Sequence, residues 1–406
     1  MKNKKFLVDS LLNIISAALP LLILQLVSYP LIAKALGGEE YGLIITLISV
    51  FTVVSFPLGN VLNNIRLLKD NEYKEKNEEG DFNPLLVGSS FVSILLIIAI
   101  SFYIDSSLTL LDYLLLSLIT VASIWKEYLV VTFRLVLNYK GILLNNIYMS
   151  VGYLIGSIIF LYFESWQIIY FTGLLFSLIY IFRHTSLHKE KFKLSALYKD
   201  TASKGVLLYI ANLLKNVLSY ADKLILLPLL GPVSVAIYYS STILGKIISM
   251  MINPVNSVIL SYLVKVDNIS LKKVIRMFSI SCVLGAVGYL ATVWISPYFL
   301  GFFYNDWAKE SLELVYITTA TAIISVLSTV VQPFNLRFNK ISWQIYMSGL
   351  HLVVYVSAAY YFYKIGGLKG FTFGVLVAAV FKLIMQLSVF MLNYRRSKTV
   401  KSSKGG

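Results

Sequence analysis

Twelve apolar stretches, each long enough to cross a lipid bilayer as a helix, recur along this chain of 406 residues. Hydrophobic residues make up 58% of the chain and charged residues 14%, and the mean hydropathy is +0.77. A soluble core needs no such excess, so the composition is typical of a polytopic membrane protein. We predict an all-α membrane protein with spans at 10–34, 41–64, 84–104, 108–133, 142–163, 166–182, 205–230, 233–264, 277–300, 312–336, 343–363 and 370–393.

Basic residues outside these spans lie almost entirely on the side of the membrane that holds the N-terminus; only Lys309, Lys364 and Lys369 fall on the other side. Cytoplasmic loops carry such an excess, so we expect a multi-pass protein of the cytoplasmic (inner) membrane with both termini in the cytoplasm. The net charge of +15 then reflects contact with anionic membrane lipids, and nucleic acid is not an expected partner.

A basic hydrophilic stretch interrupts the spans at the middle of the chain. We predict an N-terminal six-helix lobe at 1–184, a cytoplasmic basic linker at 185–204, and a C-terminal six-helix lobe with a basic tail at 205–406. Ala35-Leu36-Gly37 is echoed by Leu229-Leu230-Gly231, which predicts pseudo-symmetric lobes related by an axis along the membrane normal. Apolar residues spaced along the linker also fit an amphipathic segment on the membrane surface.

Polar side chains follow one face of several spans at helical spacing. The eighth span has Lys246 in line with Thr242, Ser249 and Asn253, and the seventh has Asn212, Lys215, Ser219 and Asp222 with Lys223 beside them. The fourth has Thr120, Ser123, Glu127, Arg134 and Asn138 with Lys126 at the edge, and the tenth has a neutral set of Thr318, Thr321, Ser325, Ser328 and Gln332.

A lysine facing hydrocarbon costs about 3 kcal/mol, so the lysines of the spans must line a hydrated cavity or pair with acids. Only Glu127 and Asp222 lie deep within the spans, and each adjoins a lysine that we do not expect it to face on a helix. The surplus of positive charge predicts a central cavity between the lobes for an anionic solute such as a phosphate. Interhelical ion pairs that serve packing alone are the alternative. Arg66, at a span end, is expected to snorkel.

Signals of catalysis are scarce. His184 and His188 lie in or beside the linker and His351 is isolated in a span, with no metal-ligand spacing, phosphate loop or nucleophile elbow. We therefore expect no enzymatic activity, no metal and no cofactor.

Three segments carry a resemblance to a known family. They are Lys34-Ala35-Leu36-Gly37-Gly38-Glu39-Glu40-Tyr41-Gly42, the run from Tyr220-Ala221-Asp222-Lys223 through Leu230-Gly231 to Tyr238, and Arg134 through Asn138-Tyr139-Lys140. In these and in its layout the chain resembles the polysaccharide (O-antigen type) flippases of the multidrug/oligosaccharidyl-lipid/polysaccharide exporter superfamily. Lys34 stands where that family's pattern usually has arginine.

The resemblance implies a flippase that moves a polyprenyl-diphosphate-linked oligosaccharide to the outer leaflet by alternating access, for surface polysaccharide biosynthesis. It implies that the lysines hold diphosphate and sugar hydroxyls, that Tyr238 and Tyr239 stack on sugar rings, and that Asp222 or Glu127 binds a coupling proton or sodium ion. A polysaccharide polymerase is an expected partner. The residues expected to bind substrate are Lys126, Arg134, Lys215, Lys223, Lys246, Asn212, Asn253, Tyr238 and Tyr239.

Three other functions remain open. A cation-coupled drug or metabolite antiporter of the same superfamily should have more acid than base in its cavity, the reverse of this chain. A membrane-embedded glycosyltransferase or polymerase needs a positioned general acid or base under a sizeable loop, and the sequence indicates neither. A noncatalytic scaffold of the envelope would leave the polar faces without a purpose.

Overall fold

The computed structural model describes residues 2–78, 81–263, 271–338 and 342–402, with the backbone alone for 2–10, 250–263, 273, 336–338, 342, 344–345 and 393–402. Every regular element of this part of the chain is helical, as predicted. The helices are α1 Lys2–Ile23, α2 Tyr29–Glu75, α3 Phe82–Ile104, α4 Leu110–Leu129, α5 Val131–Leu135, α6 Tyr139–Phe163, α7 Gln167–His184, α8 Tyr198–Leu263, α9 Leu271–Phe303, α10 Ala308–Phe338 and α11 Ser342–Ser402. A π-helical turn, Leu24–Ser28, joins α1 to α2, and short 3₁₀ turns occur at Leu187–Lys189 and Asn305–Trp307.

Glycines break three of the long helices into two. Of the described chain, 9 helical stretches are long and apolar enough to cross a membrane. Three of these contain a break, at Gly37 in α2, at Gly231 in α8 and at Gly366 and Gly367 in α11. Counting both halves of each broken stretch gives twelve membrane-crossing segments, so the predicted all-α, twelve-helix membrane fold is confirmed.

The chain forms two compact units, Met1–Val235 and Ala236–Gly406. The boundary between them lies within α8, just after the break at Gly231. The lobes predicted at 1–184 and 205–406 and the linker at 185–204 stay a prediction.

Small residues bring α6 and α7 together in the first unit. A Cβ atom added at Gly152 or Gly156 would overlap Thr172 of α7, and one at Gly173 would overlap the ring of Tyr153. The Thr172 hydroxyl donates to the Gly152 carbonyl at 2.9 Å. Lipid is as apolar as these helices, so their association depends on such close packing rather than on the hydrophobic effect.

A large apolar cluster lies at one end of the first unit, where α2 continues past the span end predicted at 64 as far as Glu75. Tyr73 on this extension is 3% exposed, and its ring packs against Phe82 with centroids 5.3 Å apart. The other buried members of the cluster are Val61, Leu62, Ile65, Leu86, Ile124, Tyr128, Leu129, Val131, Phe133, Ile142, Tyr180, Ile181 and Leu197.

In the second unit, polar side chains tie α10 to the second half of α8. Thr318 donates to the Ser241 carbonyl at 2.9 Å, and Ser311 donates to the Ile237 carbonyl at 3.0 Å. Asn335 donates to the Gln386 carbonyl of α11 at 3.0 Å. Each bond satisfies a polar group that has no water partner within a bilayer.

Candidate functional site

Lys126 and Glu127 form an ion pair near the end of α4. The Lys126 Nζ lies 2.7 Å from Glu127 Oε1, and the two side chains are 12% and 21% exposed. Gly59 of α2 lies directly against the stem of Glu127, because a Cβ at that position would come 2.6 Å from the Glu127 Cβ. The expectation that Glu127 cannot face the neighbouring lysine was wrong, since the long lysine stem bends back along the helix surface to reach it.

Asp222 and Lys223 form a second pair of this kind, on the first half of α8. The Lys223 Nζ donates to Asp222 Oδ1 at 2.5 Å and lies 5.4 Å from the ring centre of Tyr220. Lys223 is 2% exposed, so its charge is buried against a carboxylate. The same expectation was wrong here too, and the surplus of positive charge is smaller by two lysines than the sequence suggested.

Arg134, on the short helix α5, contacts neutral amides instead. Its Nη1 donates to the side-chain oxygens of Asn63 and Asn64, the latter at 3.1 Å. Asn63 in turn donates to the Glu127 carbonyl at 2.8 Å, which connects this cluster to the Lys126–Glu127 pair. Among the described residues no carboxylate forms an ion pair with Arg134. Three predicted site residues, Lys126, Glu127 and Arg134, therefore belong to one cluster.

Lys215 lies two turns, and Asn212 nearly three turns, before Asp222 on α8. Lys215 is exposed, and no described carboxylate lies within ion-pair distance of its ammonium group. Asn212 uses its side-chain amide on its own helix, donating to the Leu208 carbonyl at 3.0 Å.

Lys246 lies on the second half of α8, within the second unit. Its Nζ is 4.0 Å from the ring centre of Tyr239, a cation–π contact. Tyr239 and Tyr238 are 6% and 4% exposed, and Tyr238 packs edge-on against Phe371 with centroids 5.8 Å apart. Stacking of either ring on a sugar stays a prediction, and it would require these rings to become accessible. The side chain of Asn253 lies outside the described residues.

The hydroxyl groups of the polar faces mostly bond to their own helix. Ser249 donates to the Gly245 carbonyl at 3.0 Å, and Thr120, which is fully buried, donates to the Leu116 carbonyl at 2.6 Å. Such bonds satisfy a hydroxyl in an apolar environment without water. Some of the polar side chains that were predicted to line a hydrated cavity therefore serve ordinary helix packing.

Sequence reasoning missed a polar network at the end of α2. The guanidinium of Arg66 binds both carboxylate oxygens of Glu190 at 2.8 and 2.6 Å, so the expectation that Arg66 snorkels was wrong. Lys69 pairs with Asp200 at the start of α8 and with Glu72. The sequence between 66 and 81 mixes basic and acidic residues, which indicates ion pairs. It does not specify that their partners lie more than a hundred residues away.

Among the residues with described side chains, no group of three or more His, Cys, Asp or Glu side chains is placed to hold a metal ion.

Comparison with solved structures identifies the fold. An inward-facing multidrug resistance MATE family transporter of the MOP superfamily matches at a TM-score of 0.62 and 14% identity, over 96% of this chain and 99% of that one. An outward-facing structure so described matches at a TM-score of 0.60 and 13% identity, over 97% of this chain and 96% of the other.

A MOP superfamily transporter from Pyrococcus furiosus, described as having a binding pocket of reverse polarity that suggests a different function, matches at a TM-score of 0.57 and 14% identity, over 97% and 96% of the two chains. No family model matches the chain, and no curated protein matches it. At these identities the likeness shows that the chain has the fold of MATE transporters.

Proposed function

We propose that the protein is a membrane transporter that moves a polyprenyl-diphosphate-linked oligosaccharide across the cytoplasmic membrane by alternating access, for surface polysaccharide biosynthesis. The fold supports a transporter, because the solved proteins that share it are described as transporters. The excess of basic over acidic side chains within the spans supports an anionic cargo. Deep within the spans the acids are Glu127 and Asp222, whereas the basic residues are Lys126, Lys215, Lys223, Lys246 and Lys382.

The setting of Arg134 is the observation that carries this proposal. Neutral amides hold the guanidinium in place without cancelling its charge, and no described carboxylate pairs with it. A guanidinium has five donors in a planar fork that matches phosphate oxygens. Arg134 follows the fourth span at its predicted cytoplasmic end, where a diphosphate cargo would first be met.

Pocket polarity provides a second argument. The Pyrococcus furiosus transporter with this fold is described by a reverse polarity of its pocket that suggests a different function. We extend that reasoning to this chain, whose spans have more basic than acidic side chains. A cationic cavity offsets the desolvation of an anion and repels organic cations.

The paired carboxylates fit a coupling role. A proton or sodium ion that reached Asp222 or Glu127 would compete with the ammonium group of Lys223 or Lys126 for the same oxygen atoms. The released lysine could then bind the diphosphate, so binding of the coupling ion and binding of the cargo would depend on each other. A polysaccharide polymerase that receives the product is the partner we propose for this function.

Complementation of a bacterial strain that lacks its oligosaccharide flippase tests the proposal. We expect the parent protein to restore surface polysaccharide and the variants Arg134→Gln and Lys215→Gln to fail. Lys199→Gln is the matched control, because Lys199 is an exposed lysine of the linker region. Restoration by all three variants at equal protein levels would contradict the role of the cations.

A cation-coupled drug antiporter is the second candidate, favoured by the multidrug transporters among the structural neighbours. It predicts that expression raises tolerance to organic cations and that Glu127→Gln abolishes this effect. Unchanged tolerance together with restored polysaccharide would exclude the antiporter.

A further inference from the structure

Two large apolar side chains project from the linker into the surroundings. Phe192 is 69% exposed and Leu194 is 61% exposed. Lys193 between them has a side chain that is 61% exposed, and Lys189 and Lys191 are exposed as well. We call the run from Lys189 to Leu194 the basic segment. Exposed Phe and Leu side chains beside several lysines are typical of segments that lie in a membrane interface.

The basic segment is fixed at both ends. At one end Arg66 binds the Glu190 carboxylate, and Asn83 donates to the Glu190 carbonyl at 2.7 Å. At the other end the Ser195 amide donates to Asp81 Oδ1 at 2.6 Å. Arg66 is 9% exposed and Asp81 fully buried, so both anchors are built into the core. Phe192 and Leu194 therefore stay outside it.

The distance along helix α2 from the predicted span end gives the height of the basic segment above the hydrocarbon core of the bilayer. Arg66, the first anchor, comes just after the span end predicted at 64. Tyr73, whose hydroxyl donates to Asp81 of the second anchor, is two turns further on, or about 10 Å at 1.5 Å per residue. The headgroup layer of a bilayer is about 5–7 Å thick on each side. The basic segment thus begins at the hydrocarbon edge, so Phe192, close to the first anchor, lies within the depth of the headgroups, and the end of the segment at Leu194 reaches their outer edge.

We propose that the basic segment binds anionic lipid headgroups of the leaflet beside it. Phe192 enters the interface, where aromatic rings are favoured, and the exposed lysines beside it contact lipid phosphates. Each lysine near an anionic surface contributes roughly 1 kcal/mol. Lys193 also meets Glu78 at 3.5 Å, but this pair is exposed and weak, so it leaves the attraction to lipid largely intact. The proposal requires a membrane-spanning chain and does not depend on the cargo.

A fluorescent label tests the proposal, because Cys282 is the only cysteine of the chain. In a Cys282→Ser background, Phe192→Cys is labelled with an environment-sensitive dye and the protein is placed in lipid nanodiscs with or without phosphatidylglycerol. The control is Lys76→Cys, an exposed position directly after α2 and about 15 Å beyond Arg66.

We expect the label at 192 to emit at shorter wavelength than the label at 76 and to be quenched by lipids with a nitroxide headgroup, more strongly when phosphatidylglycerol is present. The double variant Lys189→Gln and Lys193→Gln should lose the dependence on phosphatidylglycerol while keeping the parent's melting temperature, because both lysines are exposed. Emission and quenching at 192 that match those at 76 in both kinds of nanodisc would overturn the proposal and indicate a surface that faces water or a soluble protein.

Discussion

Gly37 and Gly231 adopt almost the same backbone conformation, with φ and ψ of 77° and 177° at the first and 78° and 176° at the second. This region is essentially restricted to glycine. The two positions are those that the sequence repeat aligned. A helix break that needs a backbone conformation restricted to glycine can therefore be predicted from the sequence, because the glycine itself marks the position.

Substitution of Gly231 by alanine should destabilise the protein by about 1–3 kcal/mol, because the backbone conformation is strained for any residue with a Cβ atom. Beyond the neighbouring residues of its own helix, no atom of the described residues lies within 4 Å of the added Cβ, so the loss measures backbone strain. Thermal unfolding in detergent measures it. Gly88→Ala is the control, since its Cβ also meets nothing within 4 Å and its helical backbone favours alanine. Equal melting temperatures for the two variants would contradict the strain.

The pairs Lys126–Glu127 and Asp222–Lys223 illustrate what could not be predicted at this scale. Adjacent residues point about 100° apart on a helix, so their spacing predicts that the two side chains do not meet. The lysine stem is flexible, so its ammonium group can reach a carboxylate on the neighbouring residue. A buried ammonium group without a partner would be strongly destabilising, which favours this contact. Side-chain conformation, which the sequence pattern does not contain, decides the outcome.

Glu127→Gln should destabilise the protein by about 2 kcal/mol, because it leaves the Lys126 ammonium half-buried without its carboxylate. The double variant Lys126→Met and Glu127→Gln removes both charges and should recover most of that loss. Melting temperatures of the two variants in detergent check this. If the double variant is no more stable than Glu127→Gln, the pair does not act as a unit.

At the scale of elements, the extension of α2 past its predicted end has a clear physical cause. Residues from Arg66 to Glu75 are too polar to be read as a span, yet Tyr73 packs into the apolar cluster and Arg66 stacks over the ring of Phe82 at 4.7 Å. Tertiary contacts with α3 and, through the Arg66–Glu190 pair, with the linker therefore determine the length of this helix. The length of the spans follows from hydropathy, whereas the helical extensions outside them do not.

Glu190→Gln should release the linker from α2 and lower the free energy of unfolding by about 2 kcal/mol, because the buried Arg66 loses its two-pronged carboxylate partner and keeps only the longer contact with Asp70 at 3.6 Å. Loss of Lys76, which pairs with Glu72 on the exposed face of the same helix, should cost only about 0.3 kcal/mol. Limited proteolysis of the linker, together with melting curves, separates the two. Equal resistance of Glu190→Gln and the parent to the protease would show that the ion pair does not hold the linker.

For the whole molecule, the twelve segments, the helical class and the repeat glycines follow from the sequence. The reason is that a bilayer forces every backbone polar group into a helix and sets the length of each span. Of the lysines deep in the spans that suggested a cationic cavity, Lys126 and Lys223 are neutralised by neighbouring carboxylates, while Lys215, like Arg134, has no described carboxylate partner. The proposed recognition of an anion thus depends more on these two residues than composition alone suggested.

Transport by the purified protein in proteoliposomes tests the central claim most directly. The measurement is the rate at which a fluorescent polyprenyl-diphosphate-linked saccharide becomes accessible to a reductant outside the vesicle. We predict that the parent and Lys199→Gln flip this lipid at equal rates and that Arg134→Gln and Lys215→Gln each flip it at least tenfold more slowly, a loss of about 1.4 kcal/mol in transition-state stabilisation. Equal rates for all four proteins, or a parent no faster than empty vesicles, would contradict the account.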